Sequence, residues 1–390
     1  MKVLLISDNK INGYGGGSIS EQKYYYCLKK WCNLHDFDFT VLSPDLDIPE
    51  KIKIDVVKNR KSDKKARLLG NSSYINLIIN KNIKKIIDYN PDIIITGRTR
   101  FGTSLKKIKK KVPNVKILTC FENIEYDYVD GYFSTKNNLM NRIYKYLEKK
   151  CVFKDESISV SISDAMLFLT NRDLNRMREI YGDYYKGNMV LVSPICLKNK
   201  HDLYIESNQR NVIFVGTLSY ASNYNAVVEF IEKVWKKIDD KKMHLIIAGK
   251  NPNDDLIKLI SRTSNCELIS NFKSLEEIIP TKSILIAPIE KGAGMKVKVA
   301  DSLSMGIPII GSDEAFVGYD EIFNEKNVKG IFRINNFEDY TNCLKQYSQF
   351  SDSELEYIKN QNYSIFEKYY SYDRAESDIL KFLDILFLQS

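Results

Sequence analysis

Short apolar runs along this chain alternate with segments whose apolar residues recur every three or four positions. The runs predict strands over Lys2–Ile6, Phe37–Leu42, Ile52–Val57, Asp92–Thr96, Val115–Cys120 and Ala165–Thr170. The periodic segments Ser18–Trp31, Tyr74–Tyr89 and Leu139–Phe153 suit amphipathic helices. Strands alternating with helices mean βαβ units and a mostly parallel sheet. The pattern restarts at Asn211–Val215 and continues with a helix near Asn225–Ile238 and a strand over Met243–Ala248. A helix over Asp254–Arg262, a strand over Ile284–Pro288, a helix over Val297–Met305 and a strand over Ile309–Gly311 follow, with further helices to the end. Ser193–Arg210, polar and carrying Pro194, reads as a linker. The reading is α/β, with two Rossmann-like domains joined near residue 200.

The length of 390 residues agrees with two domains, and 44% hydrophobic residues with only 9 Pro and 18 Gly exclude a disordered or fibrous chain. No apolar run approaches the roughly 20 residues that span a bilayer, and the opening MKVLLISD reads as a buried strand rather than a signal segment. The seven cysteines form no CxxC pair, which argues against a zinc ribbon or a disulfide scaffold and for thiols in a reducing cytoplasm. The net charge of +8 is uneven: residues 51–116 alone hold 19 basic against 4 acidic side chains. That half of the chain is expected to face something anionic, with nucleic acid, a membrane surface or a phosphorylated substrate open at this stage.

The loop after the first strand, Gly13-Tyr14-Gly15-Gly16-Gly17-Ser18, fails the dinucleotide fingerprint because Ser18 stands at its last glycine. No P-loop and no G-x-S-x-G elbow occurs. Consecutive glycines ahead of a helix still let backbone N–H groups approach an anion closely, which makes Gly16 and Gly17 donor-binding candidates. The sharper signal is APIEKGAGMKVKVADSLSMGIP, residues 287–308. A strand ends at Pro288, a glycine loop follows (Gly292, Gly294), and a helix is expected near Met295. Backbone N–H groups of its first turn and the Lys298 ammonium would hold a diphosphate. Asp301, three residues on and on the same face, would take ribose hydroxyls.

With these residues in place the sequence resembles a glycosyltransferase of the GT-B fold, in the nucleotide-sugar-using bacterial polysaccharide group, most strongly from Asn211 to Tyr319. The resemblance implies two Rossmann-like domains with parallel sheets facing a cleft. The acceptor side would span 1–200, the donor side 201–371, and a helix at about 372–390 would pack back onto the first. It implies that Gly216 and Thr217, in IFVGTLSYASNYNAV, face the donor diphosphate, and that Phe272, in SNFK, lies where the nucleobase is received. Many relatives carry two glutamates around the helix at 297–305, where this chain has Ala293 and Asp301, so Glu290 is the candidate for the first. In FENIEY, Glu122 stands where relatives often have His, as a base, a sugar-hydroxyl ligand or a structural acid.

The function implied is transfer of a sugar from a nucleoside diphosphate donor to a hydroxyl of a glycan or lipid-linked oligosaccharide, in capsule or O-antigen assembly, with retention at the anomeric carbon. Lys298 would stabilise the leaving diphosphate and replace a metal, so neither metal nor cofactor is expected. Asp36/Asp38 and Asp45/Asp47 match Asp-x-Asp but read as surface turns. Arg98, Arg100 and Glu125 are candidate acceptor contacts. Because relatives use lipid-diphosphate acceptors, the basic stretch 51–116 reads as a docking surface for the inner face of the plasma membrane. Nucleic acid is disfavoured: the Lys106–Lys111 cluster has no aromatic interleaving. The rival readings are a nucleotide-sugar epimerase and a binding protein without catalysis.

Overall fold

The structure is a computed structural model that describes residues 1–11, 16–44, 48–50, 52, 54, 60–133, 138–238, 243–270 and 272–389. The chain divides into two units, Met1–Cys196 with Ala375–Ser390, and Leu197–Arg374.

In the first unit, β1 (Lys2–Ile6), β2 (Asp38–Leu42), β3 (Ile93–Thr96), β4 (Lys116–Phe121), β5 (Ala165–Phe168) and β6 (Met189–Val192) form one parallel sheet in the order β2-β1-β3-β4-β5-β6. All four residues of β3 are buried, as the run Ile-Ile-Ile-Thr requires of a strand covered on both faces. The crossovers hold α1 (Gly16–Leu34), α2 (Arg60–Leu68), α3 (Tyr74–Lys81), α4 (Ile83–Tyr89), α5 (Gly102–Lys111), α6 (Glu125–Tyr132), α7 (Leu139–Ile162) and α8 (Asn171–Tyr181).

In the second unit, β7 (Arg210–Thr217), β8 (Met243–Lys250), β9 (Cys266–Ile269), β10 (Ser283–Ala287), β11 (Ile309–Gly311) and β12 (Ile331–Arg333) form another parallel sheet, ordered β12-β11-β10-β7-β8-β9. Its helices are α9 (Ala221–Lys233), α10 (Asp254–Ser261), α11 (Val297–Ser304), α12 (Asp320–Asn324), α13 (Phe337–Ser348), α14 (Asp352–Ile365) and the start of α15 (Tyr372–Phe387). Phe214, Phe230, Ile247, Ile286 and Tyr347 belong to the core that joins this sheet to its helices.

Both sheets contain a point where the order of strands reverses, between β1 and β3 in the first and between β7 and β10 in the second. Loops leaving the carboxyl ends of strands on either side of such a point splay apart and leave a crevice, where ligands of open α/β sheets bind. The sequence alone could not supply this order. It decides which candidate residues meet.

Several expectations need correction. Leu197–Gln209 is part of the second unit rather than a free linker: His201 N–H donates to the Ser304 carbonyl, and Thr281 N–H to that of Ile205. The stretch 74–89 is two helices, broken where Asn82 leaves helical geometry and its side chain donates to the Ile78 carbonyl at 3.0 Å. The helix starting at Leu139 runs to Ile162, not Phe153. Most of the strand expected at Ile52–Val57, the pair Asp45 and Asp47, and Gly13, Tyr14 and Gly15 lie outside the described residues.

Candidate functional site

In the second unit the reversal point brings two sequence candidates together. β7 ends at Gly216-Thr217, paired with Gly249-Lys250 of β8. A Cβ on Gly249 would stand 1.9 Å from the Gly216 carbonyl oxygen, so only glycine admits this approach. Gly249→Ala is expected to cost about 1–3 kcal/mol and to weaken ligand binding at the Gly216 turn, readable by thermal unfolding and titration calorimetry. From β10, the neighbour of β7, the chain passes exposed Glu290 and Gly292 into the buried Gly294, whose φ of +60° is the left-handed conformation that glycine adopts without strain. The helix then starts at Val297, two residues later than expected, with Lys296 as its N-cap and no side-chain cap on its first turn. The Val297 and Lys298 N–H groups therefore carry no capping side chain, whereas the Val299 N–H already donates to the Lys296 carbonyl at 3.1 Å.

Lys298 is 8% exposed, its Nζ lying 4.0 Å above the Phe214 ring and donating to Asn223 Oδ1 at 3.1 Å. Asn223, on α9, in turn donates to the Thr217 carbonyl at 3.1 Å. One asparagine thus links the β7 turn to the lysine of the glycine loop. Burial, reinforced by neighbouring Lys296, pushes the Lys298 ammonium down to about 7, with Asp301 opposing. Burial pushes the Asp301 carboxyl up to about 7, with Lys298 opposing. Lys296 folds back over the loop: its ammonium meets Glu314 at 2.8 Å and the Gly294 carbonyl at 2.8 Å, and the Tyr319 hydroxyl donates to its carbonyl at 2.9 Å. Met295 is buried. Phe272 is half-buried beyond β9.

In the first unit the reversal point gathers a carboxylate cluster. Asp8 follows β1, Gly97 and Arg98 follow β3, Glu122 follows β4, and Gly17 opens α1. Arg98 lies 3.4 Å from Asp8, 3.2 Å from Glu122 and 3.7 Å from Glu125. A Cβ on Gly17 would meet Asn9 at 2.8 Å and Arg98 at 2.9 Å, so the first turn of α1 sits directly on these groups. Glu21 of α1 is fully buried, and neither carboxyl oxygen finds a hydrogen-bond partner among the described residues. A Cβ on Gly97 would come within 2.2 Å of that carboxyl. Three acids thus approach the Arg98 guanidinium, while Glu21 lies buried beside them without an ion pair to it. Burial, with Glu122 and Asp8 adding to it, pushes the Glu21 carboxyl well above its usual range. Burial likewise pushes Glu122 up to about 8, Glu125 and Asp8 adding and Arg98 opposing. A buried carboxyl that keeps its proton near neutrality can donate a hydrogen bond to a hydroxyl or exchange a proton with it.

Arg100 and Glu125 have a different setting. Arg100 is 7% exposed and held by Glu125 at 2.7 Å, by Glu148 and by the Ser72 carbonyl at 3.1 Å. Glu156 accepts from the Glu125 and Tyr126 N–H groups, both at 3.0 Å, and so fixes the start of α6. Asp155 holds α5 through the Thr103 N–H at 2.8 Å and the loop between α2 and α3 through Ser72. This scaffold walls a cavity of about 270 Å³ lined by Asp8, Asp63, Arg67, Arg98, Arg100, Tyr128, Tyr132 and Tyr144, among others. Among the described residues no cluster of three or more His, Cys, Asp or Glu could hold a metal ion.

Residues 209–348, inside the second unit, match the family model described as glycosyl transferases group 1. The whole chain is similar in fold to a glycosyltransferase from Rickettsia africae, at TM-score 0.67 and 16% identity, over 100% of this chain and 99% of that one. It is also similar to WaaG, a glycosyltransferase involved in lipopolysaccharide biosynthesis, at TM-score 0.68 and 11% identity, over 99% and 100%. Anabaena HepE in complex with UDP and glucose gives TM-score 0.61 and 10% identity, over 99% and 100%. No curated protein matches the chain in sequence. Two six-stranded parallel sheets and these likenesses define the GT-B fold. The chain has that fold, and within its second unit residues 209–348 resemble the group 1 glycosyl transferases.

Proposed function

We propose that the second unit binds a nucleoside diphosphate sugar and that the protein transfers the sugar to a hydroxyl of a glycan or lipid-linked oligosaccharide. The observation that carries the reading is the meeting, at the β7/β10 reversal point, of the Gly216 turn, the uncapped start of α11 and the buried Lys298. Diphosphate oxygens would take the α11 N–H groups and the donors of Lys298 that Asn223 leaves unused, and Asp301 would take ribose hydroxyls. As the glycosidic bond breaks, negative charge grows on the diphosphate beside a lysine in a water-poor setting, which does the work a metal ion would otherwise do. In the first unit Glu122 and Arg98 would meet sugar hydroxyls, and the tyrosines of the adjoining cavity give sugar rings apolar faces. We place the reaction among retaining, metal-independent transfers in capsule, O-antigen or related surface-glycan assembly. The basic stretch 51–116 would face the anionic inner leaflet of the plasma membrane: Lys106, Lys107, Lys110 and Lys111 are exposed on α5, whereas Lys51, Lys53 and Lys58 lie outside the described residues.

A binding protein without turnover is the second reading, favoured by Ala293 and by the exposure of Glu290, the only nearby glutamate of the loop. Incubation with a panel of nucleotide sugars and membrane-extracted lipid-linked oligosaccharides separates the two: release of nucleoside diphosphate supports transfer, and affinity without release supports binding alone. The same titrations carry a pH prediction. Because the free Lys298 ammonium is held near 7, diphosphate affinity should fall as pH rises from about 6 to 8, with proton uptake on binding near neutrality. Calorimetry in two buffers of different ionisation enthalpy reads that proton, and an affinity that rises over this range would exclude Lys298 as the diphosphate ligand.

A further inference from the structure

The first four turns of α7 are amphipathic in the reverse of the usual sense. Leu139, Met140, Ile143 and Tyr146 are 49–73% exposed, and their spacing puts them on one face of the helix. Away from this stripe the helix packs against α2: Glu148, on the opposite face, pairs with Arg67, and Cys151, buried at the side, donates its thiol to the Arg67 carbonyl. The outward face continues into exposed Lys150 and Lys154 and is flanked by exposed Arg142. Among residues 139–154 the single acid is Glu148, so this outward face carries no negative charge. Leu68 at the end of the neighbouring α2 and Leu69 in the turn after it are 78% and 58% exposed, beside exposed Lys64 and Lys65.

Singly exposed apolar residues need no explanation, but a stripe of them on one helix, edged by cations and free of acids, does. We propose that this face of α7, with the end of α2, inserts its apolar side chains into the headgroup region of an anionic bilayer while the surrounding lysines and arginine meet lipid phosphates. The occupant is set by charge: the cations suit an anionic lipid surface, and an interfacial helix needs this combination of apolar stripe and basic flank. No helix among the described residues is long and apolar enough to cross a membrane, so attachment of this kind is peripheral. The inference rests on the membrane partner proposed above and changes its mode, from charge alone on residues 51–116 to apolar insertion on α7.

The test is co-sedimentation of the full chain with phosphatidylglycerol–phosphatidylcholine vesicles and with phosphatidylcholine alone. Binding is expected for the anionic vesicles, weakened but not abolished by high salt, with a Tyr146→Trp probe shifting its emission to the blue. The double variant Met140→Glu/Ile143→Glu should lose about tenfold or more in partition, because each buried side chain carries a hydrophobic contribution. Its thermal unfolding and its donor cleavage without vesicles should be unchanged, since neither residue touches the sites above. Failure here therefore leaves the transferase reading standing, and loss of donor cleavage by the parent leaves docking standing. Absence of parental binding, binding abolished by salt, or equal binding by the variant would overturn the proposal. So would light scattering that shows a dimer dissolved by the variant, which would assign the face to a second copy of the chain.

Discussion

Lys298→Ala should lower sugar transfer by about 100- to 1,000-fold, the loss typical when a preorganised charge aimed at a developing anion is removed. It should also weaken nucleoside diphosphate binding while the protein stays folded. Burial gives the charge its weight. In water a lysine would contribute little to a diphosphate, but this ammonium is 8% exposed above the Phe214 ring and held by Asn223. Its surroundings already push it toward the neutral form, so removing the charge relieves a cost in the free protein. Unfolding temperature should therefore hold or rise slightly as activity collapses. Asn223→Ala should give a smaller loss, because it frees Lys298 to wander without removing its charge. Turnover of the Lys298 variant at the parental rate would remove the lysine from the mechanism.

Arg98→Ala should destabilise the first unit by about 3–5 kcal/mol near pH 8, the cost of leaving buried charges without their partner. The size of the effect should depend on pH in a defined direction. Glu122 is held at about 8 in the folded protein against 4.5 as its ordinary value. A raised folded value contributes stability that is complete below about 4.5 and lost as pH climbs through 8. Arg98 opposes that loss by stabilising the ionised form, so without it the decline steepens. The gap in unfolding temperature between variant and parent should be small near pH 5 and widest near pH 8. A gap independent of pH would mean that Arg98 supports the fold by packing alone.

The glycine loop and Lys298 were legible in the sequence because they are contiguous: a strand end, two glycines and a helix start fit within one short stretch, and only the helix start moved, from Met295 to Val297. Gly216 and Thr217 were legible through the resemblance of their segment. Asn223 was not, although it stands six residues further on, because its role depends on α11 packing beside α9. Glu314 and Tyr319, which hold Lys296 over the loop, are hidden for the same reason. In the first unit Glu122, Arg98 and Gly17 could be listed, but their meeting depends on the order of strands. Asp8 and Glu21 escaped notice because a lone acid in a helix or after a strand reads as solvated surface; Gly97 pressed against Glu21 shows that it is not. Arg100 stands two residues from Arg98 in the sequence, but the structure turns it inward to Glu148 and Ser72. The strands β6, β9 and β12 do not stand out in the sequence; all three lie at sheet edges and none of their residues is fully buried, unlike the covered β3, β5 and β11.

The claim on which the rest depends is that the β7/β10 reversal point of the second unit is the seat of a nucleoside diphosphate. A crystal structure of the protein soaked with the nucleoside diphosphate that binds tightest in the titration panel tests it most directly. Phosphate oxygens within hydrogen-bonding distance of Lys298 Nζ and the Val297–Lys298 backbone, with ribose at Asp301, are the predicted result. Diphosphate density elsewhere on the chain, or a panel in which no nucleoside diphosphate binds at all, would contradict it.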